Sequence, residues 1–239
     1  MNINVTFLPA EVSDIDLSNT VCIILDIFRA TTSITTAMAN GCKAIYPVVS
    51  VEEAHAQAVQ TGLCLLAGER QSIKIDGFDL GNSPYEFSKD VVESRHIIMT
   101  TTNGTVAIRA AQGSYRTLIG SFLNAHAVCK KVLEYGNDVL LVCAGTDRMF
   151  SLEDALCAGF LVDSIHRAAT EARLTDAACA AQLMYLQAKD GLIATAKNSR
   201  NGKRLCEINH QDDVEYCFQK DIIEVVPEYK DGVIFLKQS

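Results

Sequence analysis

Several things are missing from this sequence, and each absence removes a class of function. No apolar stretch approaches the roughly 20 residues that a membrane-crossing helix requires. The N-terminus does not join a basic start to a long apolar run, so no secretory leader is expected and the chain reads as cytosolic. Cysteine pairs are absent too: the nine cysteines are an odd number, evenly scattered, with no Cys-x-x-Cys. That spacing suggests neither a disulfide framework nor a zinc site, and most are expected to be small buried hydrophobes. Positive charge is scarce, with 21 Lys and Arg against 29 Asp and Glu and a net charge of -8. Such a surface gains nothing from nucleic-acid phosphates, so any anionic ligand must meet a local cationic site. Neither Gly-x-x-x-x-Gly-Lys-Ser/Thr nor Gly-x-Gly-x-x-Gly occurs, which removes the common nucleotide-binding loops. There is no repeat, low-complexity tract or obvious linker.

What is present is a regular alternation. At 239 residues and 49% hydrophobic the chain can bury a substantial core. "TVCIIL" opens as an apolar run suited to a strand covered on both faces; Thr31 and Thr32 can cap a helix that Asn40-Gly41 stops. "AIYPVV", "LCLLAG", "HIIMT", "RTLIGS" and "DVLLVCAG" read as further strands separated by helical segments. From "SLEDALCAGF" to about Asn198 the chain reads as helical with a break near Leu174–Asp176, and the tail reads as a short helix and two closing strands. The expectation is a three-layer α/β/α fold with a mostly parallel or mixed sheet. It is taken as one domain over 1–239, with about 1–175 as the core and about 176–239 as a candidate second lobe.

Polar residues gather at the strand ends. Asp26 and Arg29 with Thr31 and Thr32 end the first; Glu69 and Arg70 end "LCLLAGER"; Thr102, Asn103, Gly104 and Thr105 follow "HIIMT". Ser121 and Asn124, then Glu153 and Asp154, follow later strands. In an open parallel sheet the carboxyl ends share one edge, so these groups are expected to converge on one crevice. Arginine forks, hydroxyls and helix N-termini suit an oxyanion. Carboxylates sharing that space call for a hard divalent cation, Mg²⁺ above all. Taken singly, Asp26, Thr102 and Asp154 equally suit helix capping, and Glu69 and Arg70 equally suit ordinary ion pairs. The histidines are scattered and none is assigned to metal or catalysis. Cys64 and Arg70 have the spacing of a cysteine-dependent phosphatase loop, but Cys64 falls inside an apolar strand and no helix follows. Nor does "LDIFRATT" carry the second aspartate of a haloacid dehalogenase motif.

Seven blocks in order, "LDIFRATTSITTAMANGCKAIYPV", "LAGER", "GFDLGNSPYEF", "TTNGT", "GSFLNA", "VCAG" and "LEDALCAG", resemble the 2-phosphosulfolactate phosphatase family, Mg²⁺-dependent enzymes of coenzyme M biosynthesis. "SRNGKRL", "DDVEYC" and "VVPEYKDGVI" are similar too, with Asn209 where a glycine is expected. The resemblance implies hydrolysis of (2R)-2-phospho-3-sulfolactate to sulfolactate and phosphate, and a homodimer. On this reading Mg²⁺ sits on Asp26, Glu69 and Asp154, or two of them, while Arg29 and Arg70 hold phosphoryl oxygens. Asn82 and Ser83, on the loop 77–87, face an anionic end, with Asp79 orienting an arginine or joining the metal shell. Thr102–Thr105 is the candidate cradle for the sulfonate, the carboxylate or the phosphate. Phosphatase action on another small phosphorylated acid, or a non-catalytic anion sensor, is the alternative.

Overall fold

The computed structural model describes residues 1–237. Its strands are β1 (Asn2–Thr6), β2 (Thr20–Leu25), β3 (Ala44–Val48), β4 (Cys64–Arg70), β5 (Ile73–Lys74), β6 (His96–Thr100), β7 (Arg116–Gly120), β8 (Asp138–Cys143), β9 (Arg173–Leu174), β10 (Glu228–Lys230) and β11 (Val233–Phe235). They form one 11-stranded sheet in the order β5-β4-β6-β3-β11-β10-β7-β2-β8-β1-β9. The helices are α1 (Ala30–Ala39), α2 (Val51–Thr61), α3 (Lys89–Val92), α4 (Gly104–Ala110), α5 (Ala125–Tyr135), α6 (Leu152–Ala168), α7 (Asp176–Ala188), α8 (Leu192–Lys197), α9 (Arg200–Glu207) and α10 (Gln211–Cys217).

Strand β2 shows why the layers form. Every one of its residues is buried, and because successive side chains point to opposite faces, it feeds two cores at once. Val21, Ile23 and Leu25 join Val128, Leu161 and Val162 of α5 and α6. Cys22 and Ile24 join Ile34, Met38 and Ile108 of α1 and α4 on the other face. The apolar run in the sequence is thus the middle layer of an α/β/α sandwich. The cysteines follow the same logic: all nine are free and six are buried, and burial pushes the Cys22 thiol up to about 12. Strand β1 escaped the sequence reading, since "NINVT" is short and partly polar; it is held by parallel pairing with β8 and β9.

The C-terminal hairpin changes the geometry of the sheet. Strand β10 pairs antiparallel with β7, β11 pairs antiparallel with β3, and the two pair antiparallel with each other. Three antiparallel steps separate two parallel sets, β9-β1-β8-β2-β7 and β3-β6-β4, so these sets run in opposite senses. A single shared carboxyl edge, as expected for an open parallel sheet, therefore does not exist. The strand ends meet by another route: α1 leaves β2 towards β3, α4 leaves β6 towards β7, and the first turns of the two helices abut. At Gly104 an added Cβ would lie 2.6 Å from the Ala30 Cβ and 2.8 Å from Asp26 Oδ2. Only glycine permits that approach. The last two strands of the tail lie in the centre of the sheet, between β3 and β7. Among the described residues no helix is long and apolar enough to cross a membrane.

Helices α6 and α7 pack through a similar close approach, at Gly159. A Cβ there would fall 2.0 Å from the Ala181 carbonyl oxygen, whereas one at Gly191 would meet nothing within 4 Å. Gly159→Ala is expected to destabilise the protein by roughly 1–3 kcal/mol, lowering Tm by about 2–4 °C per kcal/mol. Gly191→Ala should melt within about 0.5 kcal/mol of wild type.

Candidate active site

Where α1 and α4 begin, the structure opens a cavity of about 560 Å³. Of the residues singled out from sequence, Asp26, Arg29, Glu69, Asn82, Thr102 and Asn103 line it. Glu69 is aimed by a tight turn. Gln71 and Ser72 have φ of 53° and 65°, the two successive positive values of a two-residue hairpin turn between β4 and β5. The turn directs the Ser72 N–H onto Glu69 Oε2 at 2.7 Å. From the other side the Thr102 N–H and hydroxyl donate to Oε1 at 2.8 and 2.9 Å. Three donors fix the position of this carboxylate.

Asp26 sits at the end of β2 and is only 7% exposed. Burial first, and the neighbouring Glu69 second, push its carboxyl up to about 7, against the opposing pull of the Ala30 N–H and Arg29. Asn82 shares the cavity, and its Oδ1 is buried with no hydrogen-bond partner. Two carboxylates and an orphaned amide oxygen make an all-oxygen acceptor set, the chemistry of a hard cation site.

Arg29 is held from behind. Its Nη1 donates to Asp213 Oδ2 at 2.6 Å and its Nη2 to the Ser72 carbonyl at 2.8 Å. Asp213 in turn accepts from the Ser83 hydroxyl at 2.6 Å and lies 3.0 Å from His210 Nδ1. Both members of the ion pair are almost wholly buried. The sequence offered no signal linking residue 213 to residue 29; α10 supplies the contact.

Other expected site residues lie elsewhere. Strand alternation turns Arg70 to the face opposite Glu69, where it bonds the Thr100 hydroxyl at 3.0 Å and the Glu69 carbonyl at 2.7 Å, outside the cavity. Asp154 spends one oxygen on the Ile27 N–H at 2.8 Å and the other on the Gly145 N–H at 3.1 Å, bracing two loops. Burial and the nearby Asp26 and Glu153 raise its pKa well above the ordinary carboxylate range. Among the described residues no three His, Cys, Asp or Glu side chains form a metal-holding group, so the set Asp26, Glu69, Asp154 does not assemble. Of these three, Asp26 and Glu69 line the cavity and Asp154 does not.

Thr31 and Thr32 lie inside the first turn of α1, not at its cap; their hydroxyls reach back to the carbonyls of Asp26 and Ile27. Ser83 gives its hydroxyl to Asp213. Thr105 bonds the Thr101 carbonyl. Ser121 and Asn124 bond each other, and the Asn124 amide ties β7 to Val225. Asp79 is exposed and accepts the Leu66 N–H, touching neither arginine. Gly104 serves the helix contact described above.

Sequence reasoning missed one whole wall. Helix α9, starting behind the Ser199 cap, lines the cavity with Arg200, Asn201, Lys203 and Arg204. Asn201 Nδ2 donates to the Phe28 carbonyl at 3.1 Å. Arg200 and Arg204 donate to the carbonyls of Thr146 and Gln71. The available signal was "SRNGKR", an unusual density of cations for so acidic a chain. Just beyond, Asn209 has φ of 62°, the left-handed conformation that glycine, and after it asparagine, adopts most readily.

An α/β/α sandwich with one polar cavity at the meeting of its helix N-termini places the chain among α/β enzymes, and its class is phosphatase. It belongs to the 2-phosphosulpholactate phosphatase family, whose sequence model matches residues 6–232. A Clostridium acetobutylicum protein named "Probable 2-phosphosulfolactate phosphatase" is 40% identical over 235 residues, covering 98% of this chain and 100% of the relative. Proteins of the same name from Clostridium botulinum (38% over 239 residues, 99% and 100%) and Clostridium novyi (37% over 230 residues, 96% and 97%) are similarly related.

The raised pKa of Asp26 carries a stability cost with a definite sign. Its folded value of about 7 exceeds the unfolded value of about 3.9, so between them the folded state binds more protons and stability falls as pH rises. In chelator-containing buffer Asp26→Asn should therefore melt above wild type at pH 8, by on the order of 1–4 kcal/mol. The difference should shrink towards pH 4. Equal melting temperatures at both pH values would contradict the burial argument.

Proposed function

We propose that this protein is a Mg²⁺-dependent phosphomonoesterase that hydrolyses (2R)-2-phospho-3-sulfolactate to 3-sulfolactate and phosphate in the cytoplasm. The observation that carries the reading is one cavity with Asp26, Glu69 and the unpartnered Asn82 Oδ1 on one side and the cationic face of α9 on another. A substrate bearing phosphate, sulfonate and carboxylate on three carbons needs concentrated positive charge, which the acidic surface cannot offer. The names of the relatives point to the same substrate.

Asp26 and Glu69, with Asn82 Oδ1, would hold the cation. When bound it neutralises phosphoryl oxygens and helps orient the attacking and leaving groups. The protein's own part is positional. Thr102 and Ser72 lock Glu69, while Asp213 holds the Arg29 guanidinium in place on the cavity wall. In the net reaction the water oxygen bonds to phosphorus, the phosphorus–ester oxygen bond breaks, and the departing alkoxide becomes a hydroxyl by taking up the proton that the water gives up. Catalysis of this kind rests on preorganised charge, so loss of one site group is costly.

Phosphate release from 2-phosphosulfolactate should be rapid with Mg²⁺ and abolished by chelator. Glu69→Gln should lower kcat by about 10²–10⁴. Activity that survives chelation would overturn the metal assignment, and preference for phosphoglycerate would overturn the substrate.

A further inference from the structure

We propose that the polar face of α9 reads the sulfonate of the substrate, with Lys203 and Arg204 as the specificity-determining residues; this rests on the reading above. Arg200, Lys203, Arg204 and Glu207 stand at i, i+3, i+4 and i+7, one face of the helix, and all of them line the cavity. The other side of α9 is committed to packing: Leu205 is fully buried, and a Cβ on Gly202 would fall 2.0 Å from the Ala196 carbonyl oxygen of α8. The rotation of the helix is therefore set by its apolar side, and its charged side has no choice but the cavity.

These charges lack a counter-ion. Among the described residues Arg200, Lys203 and Arg204 form no ion pair, in contrast to Arg29 with Asp213. Their protein hydrogen bonds go to neutral groups, the Thr146 and Gln71 carbonyls and the Met149 sulfur. Lys203 Nζ has no partner among those residues, and the Arg204 Nε is buried without one. A buried guanidinium N–H left unpaired is costly unless a ligand satisfies it.

The choice of sulfonate follows from donor geometry. A carboxylate is planar and is best served by one open guanidinium fork. Each arginine of α9 has its Nη2 already tethered to a backbone carbonyl, and the remaining donors come from separate side chains. Three sulfonate oxygens, pointing in three directions, suit such a set. In the Thr102–Thr105 loop, the earlier candidate for this end, the Thr102 N–H and hydroxyl are given to Glu69 and the Thr105 hydroxyl to the Thr101 carbonyl, so these three donors are already engaged.

The test compares 2-phosphosulfolactate with 2-phospholactate, which lacks only the sulfonate, in wild type, Lys203→Ala, Arg204→Gln and the remote surface variant Lys89→Ala. Wild type and Lys89→Ala should favour the sulfonated substrate. In the two α9 variants the kcat/KM ratio should fall by about 10- to 100-fold, mainly through KM. A ratio unchanged in Lys203→Ala, whose exposed side chain makes folding failure no concern, together with an unchanged ratio in a folded Arg204→Gln, would overturn the proposal. Calorimetric binding of 3-sulfolactate, which needs no turnover, separates this from the activity. Binding weakened about tenfold or more in both variants supports the sulfonate site even if neither phosphate ester is hydrolysed. Unaltered binding refutes it whatever the activity.

Discussion

The cavity depends on a contact that leaves no room for a methyl group. Two parallel sets of strands run in opposite senses through the central hairpin, so their carboxyl ends do not naturally share an edge. They meet because α4 begins at Gly104 directly against Ala30 and the Asp26 carboxyl. Any side chain at 104 would push the helix starts apart, and with them Asp26 from β2 and Glu69 from β4. Close packing of this kind makes the site a property of helix crossing and not of the sheet alone.

Around that contact the protein treats like and unlike charges differently. Arg29 is neutralised locally by Asp213, so a buried cation is tolerated where isolated burial would be prohibitive. Asp26 and Glu69 share a cavity with no equivalent pairing between them, and the burial of Asp26 weakens the fold as pH rises. Glu69 is oriented by three donors while Asp26 is left strained electrostatically. Such a division is common where stability is yielded to a binding site. Asp154, which by sequence looked equivalent to both, instead braces the loops carrying Ile27 and Gly145.

Much of the layer structure was legible from periodicity. The unbroken apolar run of β2 announced a central strand, and Asn40-Gly41 marked the end of α1, because both signals are local. The same held for the gathering of Asp26, Glu69 and Thr102 near strand ends. Arg70 shows the limit. Adjacent in sequence to Glu69, it has the right chemistry, but alternation along β4 sends the two side chains to opposite faces. Ser121 and Asn124 likewise carry the right groups and spend them on each other. Donor capacity can be read from residue type; whether a donor is already satisfied cannot.

The amino-acid order by itself determined the apolar strands from β2 to β8 and the helices between them, the two-faced burial of β2, the burial of most cysteines and the shortage of positive charge that forces any anion to a local site. Each of these follows from patterns a few residues long. Only the tertiary structure decided that the last strands enter the middle of the sheet, that α9 forms a cationic wall more than a hundred residues from the carboxylates it faces, and that Asp213 secures Arg29. These are long-range pairings, and their partners are chosen by packing and register, which no local pattern encodes.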